Sequence, residues 1–333
     1  MTRNLVLAGD IGGTKTNLAV FSVRGEKLQS ESLQTFSSKR YSGLTPILKE
    51  FCGDQPAVEA ACFGIAGPIV DGRVKTTNLP WIVDTEELRR VLKLDAVDLL
   101  NDLEASAYGL FTLEDEEFFT LNKGEMRRSG NKALLAAGTG LGQAILYDDG
   151  ERFRPLASEG GHADFAPRDE LEIELLRFLI GRFGHVSYER VLSGPGLFNT
   201  YRFLKESRGM EEPVRLAERF AAGEDPGVVI SQAALAREAG ICVEALNLFV
   251  AVYGAEAGNL ALRAKSVRGL YIGGGIAPKI LGKLKDGTFM RAFLDKGRYR
   301  DLLAAIPVQV VLNERAALRG AAYYAAFLSG EQA

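Results

Sequence analysis

The stretch Leu5-Val-Leu-Ala-Gly-Asp-Ile-Gly-Gly-Thr-Lys-Thr-Asn-Leu-Ala-Val-Phe-Ser-Val23 decides the fold of this chain. Its apolar residues follow a period of two on both sides of Gly12 and Gly13, which predicts two strands joined by a hairpin turn. Because glycine has no Cβ, successive backbone N–H groups of such a turn can surround an anion. The stretch therefore predicts a phosphate loop between two strands, and a tight hairpin with a purely structural role is the alternative.

Two better-known phosphate loops do not fit this stretch. The segment from Gly9 to Thr16 nearly matches the P-loop pattern, but its sixth position is Thr14 instead of glycine. The residues that follow are β-branched and alternating, whereas a P-loop requires a helix at that point. The Rossmann pattern G-x-G-x-x-G also fails here and also requires a helix.

Composition and charge describe an ordinary globular protein. The chain has 333 residues, which is enough for two domains. Of these residues, 47% are hydrophobic and 25% are charged. Its net charge of −3 offers no basic surface to nucleic acid or to an anionic membrane. We therefore expect small-molecule substrates, with no nucleic acid and no membrane as partner.

The cysteines and the N-terminus bear on the compartment. Cys52, Cys62 and Cys242 are scattered and form no C-x-x-C pair, which argues against a disulfide framework and a thiolate zinc site. We find no signal-peptide pattern and no apolar run of about 18 residues, so we expect no transmembrane helix. These features predict a cytoplasmic protein.

A second glycine hairpin repeats the design of the first. An apolar strand from Ala133 leads into Gly138-Thr139-Gly140, and a second apolar strand ends at Tyr147. The third glycine of a dinucleotide fingerprint is replaced by Gln143. The repetition predicts a duplicated architecture in which each hairpin opens a domain of its own.

The second half of the chain is mostly helical in pattern. A long periodic run over 231–264 predicts one helix. A strand over 269–272, a turn at Gly273-Gly274-Gly275 and a helix over 277–284 follow, so that the helix N-terminus can face a nucleotide. A last strand over 308–312 and a last helix over 314–328 complete the chain.

Asn101 and Asp102 follow an apolar strand, at the place where open α/β sheets usually carry their sites. A single carboxylate there suits a general base that accepts a hydroxyl proton during phosphoryl transfer. The alternative is that either residue only caps the helix that starts at Leu103.

The segment Ser158-Glu-Gly-Gly-His-Ala-Asp164 places Glu159 and His162 beside glycines that let a small polar ligand come close to the backbone. A plain loop is the alternative, and His185 fits a structural role better. Glu189 follows Ser187 at an incipient helix, where interaction with the helix dipole is enough to explain it.

The histidines and cysteines never adopt metal-ligand spacing. A Mg²⁺ ion that bridges phosphates needs only one or two carboxylates, and Asp10 beside the first turn is the best candidate.

These motifs together resemble the bacterial ATP-dependent glucokinases, a family of the actin, chaperone and sugar-kinase superfamily. The resemblance covers essentially the whole chain in order, and its pieces are Gly9-Asp-Ile-Gly-Gly-Thr14, Leu100-Asn-Asp102, Gly138-Thr-Gly-Leu-Gly142, Glu159-Gly-Gly-His-Ala-Asp-Phe-Ala-Pro167, His185-Val-Ser-Tyr-Glu-Arg-Val-Leu-Ser-Gly-Pro-Gly196, Phe249-Val-Ala-Val-Tyr253, Gly258-Asn-Leu-Ala-Leu262, Gly273-Gly-Gly-Ile276 and Asp295-Lys-Gly-Arg298.

The resemblance implies an α/β fold of two ribonuclease-H-like domains, as in actin-like ATPases, with ATP and glucose in the interdomain cleft. It implies a small α/β domain over 1–112 with 314–333, a large α+β domain over 113–313, and a homodimer. The C-terminal helix would pack beside the N-terminal sheet.

The resemblance also implies roles for single residues in glucose phosphorylation at O6. Asp102 would be the base, and the sugar hydroxyls would bind Asn101, Glu159, His162 and Glu189, with Asn78 a weaker candidate. The ATP site would consist of Gly9, Asp10, Ile11, Gly12, Gly13, Thr14, Gly138, Thr139 and Gly140 through to Gly142 around the phosphates, and Gly273, Gly274 and Gly275 by the adenosine. Asp10 would orient Mg²⁺ through water.

Lys15 departs from the family pattern, where a small polar residue is common, and either touches a phosphate or points to solvent. The cysteine-rich zinc motif of the related ROK proteins is missing, and no helix-turn-helix pattern precedes Leu5. The alternatives are a kinase for another hexose or an N-acetylated amino sugar, a sugar-sensing regulator, and an actin-like filament ATPase.

Overall fold

The computed structural model describes residues 4–24, 27–53, 56–76, 79–125 and 127–330. By its internal contacts the chain divides into two compact units, one formed by Met1–Glu117 with Asn313–Ala333 and the other by Phe118–Leu312. The small and large domains expected from the sequence, with boundaries after 112 and 313, stay a prediction.

The described residues form fourteen strands and twelve α-helices. The strands are β1 Asn4–Ile11, β2 Lys15–Arg24, β3 Lys27–Ser37, β4 Ala60–Ile65, β5 Ile69–Val70, β6 Arg73–Lys75, β7 Ile82–Asp84, β8 Val97–Asn101, β9 Phe118–Asn122, β10 Lys132–Ala137, β11 Leu141–Asp148, β12 Phe153–Ser158, β13 Leu270–Gly273 and β14 Val308–Val311. The α-helices are α1 Leu44–Cys52, α2 Thr85–Leu92, α3 Asp102–Gly109, α4 Glu170–Phe183, α5 Gly194–Glu206, α6 Val214–Ala221, α7 Pro226–Leu235, α8 Gly240–Ala264, α9 Leu281–Leu284, α10 Thr288–Leu294, α11 Arg300–Ala304 and α12 Ala316–Leu328.

The first unit contains a five-stranded sheet in the order β3-β2-β1-β4-β8. β1 and β2 form the predicted antiparallel hairpin, in which Asp10 lies opposite Asn17, and β1 also pairs in parallel with β4. β4 pairs in parallel with β8, so the carboxyl ends of β1, β4 and β8 meet at one edge of the sheet. The predicted hairpin is confirmed.

The second unit repeats this order in a six-stranded sheet, β12-β11-β10-β13-β14-β9. β10 and β11 form the second hairpin, and β13 and β14 extend it in parallel, as β4 and β8 do in the first unit. β9 adds an antiparallel edge strand. The duplicated architecture predicted from the two hairpins is therefore confirmed.

Helices cover both faces of the first sheet. Successive side chains of β1 point to opposite sides of the sheet, so β1 contributes to the core on each face. Leu7 faces a core formed with α1 and α2, whereas Val6 and Ala8 face a core formed with α3 and α12. Burial on both faces explains why β1 is nearly continuously apolar. As the sequence predicts, the C-terminal helix packs on the N-terminal sheet.

Two glycines let α3 and α12 cross at backbone contact. A Cβ on Gly320 of α12 would overlap the carbonyl oxygen of Ala105, and a Cβ on Gly109 of α3 would overlap that of Ala316. Alanines continue this contact surface along α12. The crossing fixes α3, and thereby Asp102 at its first position, against the sheet.

The helix α8, Gly240–Ala264, is the core helix of the second unit. Within the described ranges it alone is long and apolar enough to span a membrane by length and composition, although no such helix was expected from the sequence. Most of its residues are buried, and a Cβ on Gly254 would overlap the backbone of Phe289 in α10.

One helix prediction is wrong, and a second is confirmed only in part. The run over 231–264 is interrupted between α7 and α8, where Arg237 adopts a left-handed conformation with φ of 55°. The helix over 277–284 is a 3₁₀ turn, Pro278–Ile280, followed by the single turn of α9. Apolar periodicity alone does not reveal such a break, since the residues on both sides still face the same core.

We expect Gly320→Ala to destabilise the protein by about 1–3 kcal/mol, because the added methyl group overpacks a backbone contact. Urea unfolding measures the change. Gly181→Ala in α4 is the matched control, because a Cβ there has nothing within 4 Å, so it should be neutral or stabilising by up to about 1 kcal/mol. Equal unfolding of the Gly320→Ala and unchanged proteins would contradict the role given to this crossing.

Candidate active site

The first glycine turn is held at both ends by hydrogen bonds. Gly12 N donates to Lys15 O at 2.9 Å, and Ser38 Oγ donates to Gly12 O at 2.8 Å. Ser38 N donates to Thr14 O at 3.0 Å. Gly12 and Gly13 are half-buried, and Thr14 and Lys15 are exposed, so the turn presents an ordered backbone at the surface.

Gly9 and Ile11, which the sequence assigns to the same phosphate site, lie within β1. Both are paired with β2 on one side and with β4 on the other. A Cβ on Gly9 would overlap the ring of Phe63, and the Ile11 side chain is buried in the core. Packing therefore explains these two residues, whereas residues 12–14 form the turn itself.

Asp10 is half-buried at the end of β1, opposite Asn17. Asn17 Nδ2 donates to its Oδ2 at 3.3 Å, and Thr35 Oγ1 donates to Asn17 Oδ1 at 2.8 Å. Burial raises the pKa of Asp10, and the hydrogen bond from Asn17 opposes that shift. A nearby cation would favour the charged carboxylate.

The donor set around Asp10 fits Mg²⁺ better than a metal that needs a full protein cage. Among the described residues, no three His, Cys, Asp or Glu side chains are grouped closely enough to hold a metal ion. Mg²⁺ commonly binds through one or two carboxylates plus substrate phosphates. Asp10 beside an ordered turn matches that requirement.

Asn101 and Asp102 lie where β8 passes into α3. Asn101 is the N-cap, because its Oδ1 accepts from Leu103 N at 2.9 Å and Glu104 Oε2 accepts from Asn101 N at 3.1 Å. Its Nδ2 donates to Gly67 O at 3.3 Å. Asn101 therefore caps α3, and its contact with a sugar stays a prediction.

Asp102 is the first residue of α3, and its half-buried carboxylate accepts from Leu103 N at 2.9 Å. The positive end of a helix stabilises negative charge. This position therefore favours the ionised form that a general base requires.

The two glycine turns of the second unit that are predicted to bind the nucleotide lie close together. In the second glycine turn, Gly138 N donates to Gly140 O at 2.8 Å. Gly274 has φ of 81°, and a Cβ on it would overlap the carbonyl oxygen of Ala137, the residue before that turn. The turn over 273–275 therefore packs against the last residue of β10, which leads directly into the turn over 138–140.

Residues 193–196 form the start of α5. Ser193 caps this helix by accepting from Gly196 N at 3.0 Å, and Gly194 N donates to Gly138 O at 2.9 Å. Serine before a proline in the first turn is a helix-start signal that the sequence analysis missed. The positive end of α5 thus lies beside the second glycine turn.

Glu159, His162 and Glu189 come together around the imidazole. His162 Nε2 lies 3.9 Å from Glu159 Oε2, and His162 Nδ1 lies 4.0 Å from Glu189 Oε1. The side chains of Glu159, His162 and Glu189 are 76%, 59% and 30% exposed, so they are accessible to a solute. Two carboxylates and an imidazole offer the acceptors that a polyhydroxyl ligand needs.

Glu189 also contacts the second glycine turn. Its Oε2 accepts from Leu141 N at 3.0 Å, and a Cβ on Gly140 would lie only 2.6 Å from the same oxygen. The polar cluster around His162 therefore directly adjoins the second glycine turn.

The loops that carry this cluster are linked by backbone hydrogen bonds. Tyr188 N donates to Ala163 O at 3.0 Å, and Phe165 N donates to Val186 O at 2.9 Å. His185 instead forms an exposed pair with Asp164 at 2.8 Å, in line with the structural role expected for it. Asn78, the weaker sugar candidate, lies outside the described residues.

Comparison with known proteins identifies the family. A family model described as Glucokinase matches residues 7–327. The chain belongs to the glucokinase family. A glucokinase from a Nostoc species is 42% identical over 340 residues, which cover 97% of this chain and 99% of the relative.

Solved structures agree with membership of the glucokinase family. A glucokinase from an Antarctic psychrotroph has a TM-score of 0.84 at 30% identity, over 97% of this chain and 99% of that one. A ROK family glucokinase from Streptomyces griseus, in complex with glucose and AMPPNP, has a TM-score of 0.66 at 22% identity, over 97% of this chain and 99% of that one. The α/β sugar-kinase fold predicted from the sequence is confirmed.

We expect Asn101→Ala to destabilise the protein by about 1 kcal/mol, because α3 loses its N-cap. Asn101→Ser keeps a capping oxygen and should retain most of that stability. Urea unfolding of both variants measures the difference. Identical midpoints for the alanine and serine variants would show that the cap does not stabilise α3.

Proposed function

We propose that this chain transfers the γ-phosphoryl group of ATP to O6 of glucose, which gives glucose 6-phosphate and ADP and begins glycolysis from free glucose. ATP-dependent phosphorylation of glucose follows from membership of the glucokinase family. The observation that carries the proposal is the cluster of Glu159, His162 and Glu189 directly against the second glycine turn. A filament ATPase has no need for such a cluster beside its phosphate turn.

Asp102 is the proposed base. It accepts the proton of the glucose 6-hydroxyl while O6 bonds to the γ-phosphorus and the bond from that phosphorus to the β-bridging oxygen breaks, so that ADP leaves. Its place at the first position of α3 supports this role, because the helix favours the ionised carboxylate. General base catalysis of this kind contributes roughly 10²–10⁴-fold in rate.

The remaining sugar hydroxyls are proposed to bind Glu159, His162, Glu189 and Asn101, with Asn78 as a further candidate. The exposure of the first three side chains supports this role. Asn101 uses Oδ1 for its helix and one Nδ2 hydrogen for Gly67 O, so the second Nδ2 hydrogen is the donor proposed to bind a hydroxyl oxygen.

The ATP phosphates are proposed to bind the hairpin segments 9–14 and 138–142, each of which contains a glycine turn, with the adenosine near 273–275. The packing of Gly274 against Ala137, which directly precedes the turn over 138–140, supports a single nucleotide site in the second unit. Mg²⁺, oriented by Asp10 through water, would neutralise charge on the phosphates. Asp10 keeps a carboxylate at the end of β1 for that purpose, held by Asn17.

We further propose that both units are ribonuclease-H-like domains of the actin-like ATPase type, over 1–112 with 314–333 and over 113–313, and that the substrates bind in the interdomain cleft. The repeated strand order of the two sheets supports this assignment. A cytoplasmic homodimer is proposed from the same family resemblance.

We expect Asp102→Asn to lower turnover by roughly 10²–10⁴-fold and to keep glucose binding, because the amide cannot accept the proton. Coupled ADP-release assays measure turnover, and calorimetry measures glucose affinity. Asp98→Asn is the control, because Asp98 lies in β8, the strand that leads into α3, and its carboxylate accepts from Leu99 N and Tyr324 Oη. Near-normal turnover of the Asp102 variant would rule out this base.

A further inference from the structure

A completely buried carboxylate, Glu256 of α8, organises the interior of the second unit. Its Oε1 accepts from Gln143 Nε2 at 2.7 Å and pairs with the guanidinium of Arg263. Its Oε2 accepts from Asn259 Nδ2 at 3.0 Å. A buried charge with several such partners has one favoured geometry, because any displacement leaves a buried group unsatisfied.

This network reaches the loop that carries Glu159 and His162. Gln143 is buried on β11, opposite Ser158 of β12. A Cβ on Gly160 would overlap Gln143 Oε1, so the loop backbone rests directly on this amide. The buried Gln143 amide therefore fixes the position of Gly160, which lies between Glu159 and His162 in the sequence.

The network also reaches the loop that carries Glu189. Tyr188 Oη accepts from Asn259 Nδ2 at 2.9 Å, and the same Nδ2 donates to Glu256 Oε2 at 3.0 Å. Burial, with Glu256 acting in the same direction, raises the pKa of Tyr188 to about 12, so the hydroxyl keeps its proton. Tyr188 directly precedes Glu189. Its hydroxyl therefore links the Glu189 loop to Glu256 through Asn259.

We propose that this buried network positions the sugar-binding loops, with Glu256 at its centre and Tyr188 as the contact that sets Glu189. The inference rests on the proposed function and adds residues that act on sugar affinity from beneath the site. The network consists of Gln143, Tyr188, Glu256, Asn259 and Arg263.

The test is Tyr188→Phe, which removes one hydroxyl and preserves the ring. We expect the KM for glucose to rise roughly three- to tenfold, the effect of one lost buried hydrogen bond, with the KM for ATP unchanged within about twofold. Tyr201→Phe is the matched control, because Tyr201 is equally buried in the same unit and its hydroxyl donates to Glu212 at 3.0 Å.

The kinetic split separates positioning from general stability. A Tyr188→Phe protein whose glucose KM matches that of Tyr201→Phe would overturn the inference, and so would equal increases in both KM values. Folded Glu256→Gln protein should also show a raised glucose KM, and an unchanged value would exclude Glu256 as the centre. If the protein without substitutions shows no glucose-stimulated ADP release, the proposed function itself is wrong.

Discussion

Close approach of two backbones at glycine is the constraint on which the candidate site depends. A Cβ on Gly161 would overlap the carbonyl oxygen of Leu141, which holds the His162 loop against β11. A Cβ on Gly274 would overlap the carbonyl oxygen of Ala137 in the same way. A Cβ on Gly320 would overlap that of Ala105, and this contact holds α3, which begins at Asp102. Protein interiors are tightly packed, so such contacts leave the backbone little freedom to move. The positions of the polar residues are therefore fixed by backbone packing.

Much of the fold could be predicted because its determinants are local. Period-two apolar residues around Gly12 and Gly138 mark both hairpins, and their similarity indicates the duplicated sheets. The break at Arg237 could not be predicted, since its left-handed backbone leaves the apolar periodicity intact. Strand β9 was also missed, because an edge strand of five half-buried or exposed residues carries little pattern.

The candidate site was predictable where motif and position coincide, and not where distant residues meet. Asp102 follows from a strand end, and Glu159 and His162 share one glycine-rich loop. The contact of Glu189 with the second turn, and that of Gln143 with Glu256, join residues 48 and 113 positions apart. No local spacing reports such contacts, so only the structure could reveal the buried network.

The roles proposed for the site residues all depend on phosphoryl transfer from ATP to O6 of glucose. The most direct measurement is ³¹P NMR of the protein with ATP, Mg²⁺ and a panel of sugars, combined with ADP release. We expect ADP to form with glucose, in equal amount to a sugar phosphate whose phosphorus couples to the C6 protons. ADP release that no sugar stimulates, or a clear preference for another hexose or an N-acetylated amino sugar, would contradict it.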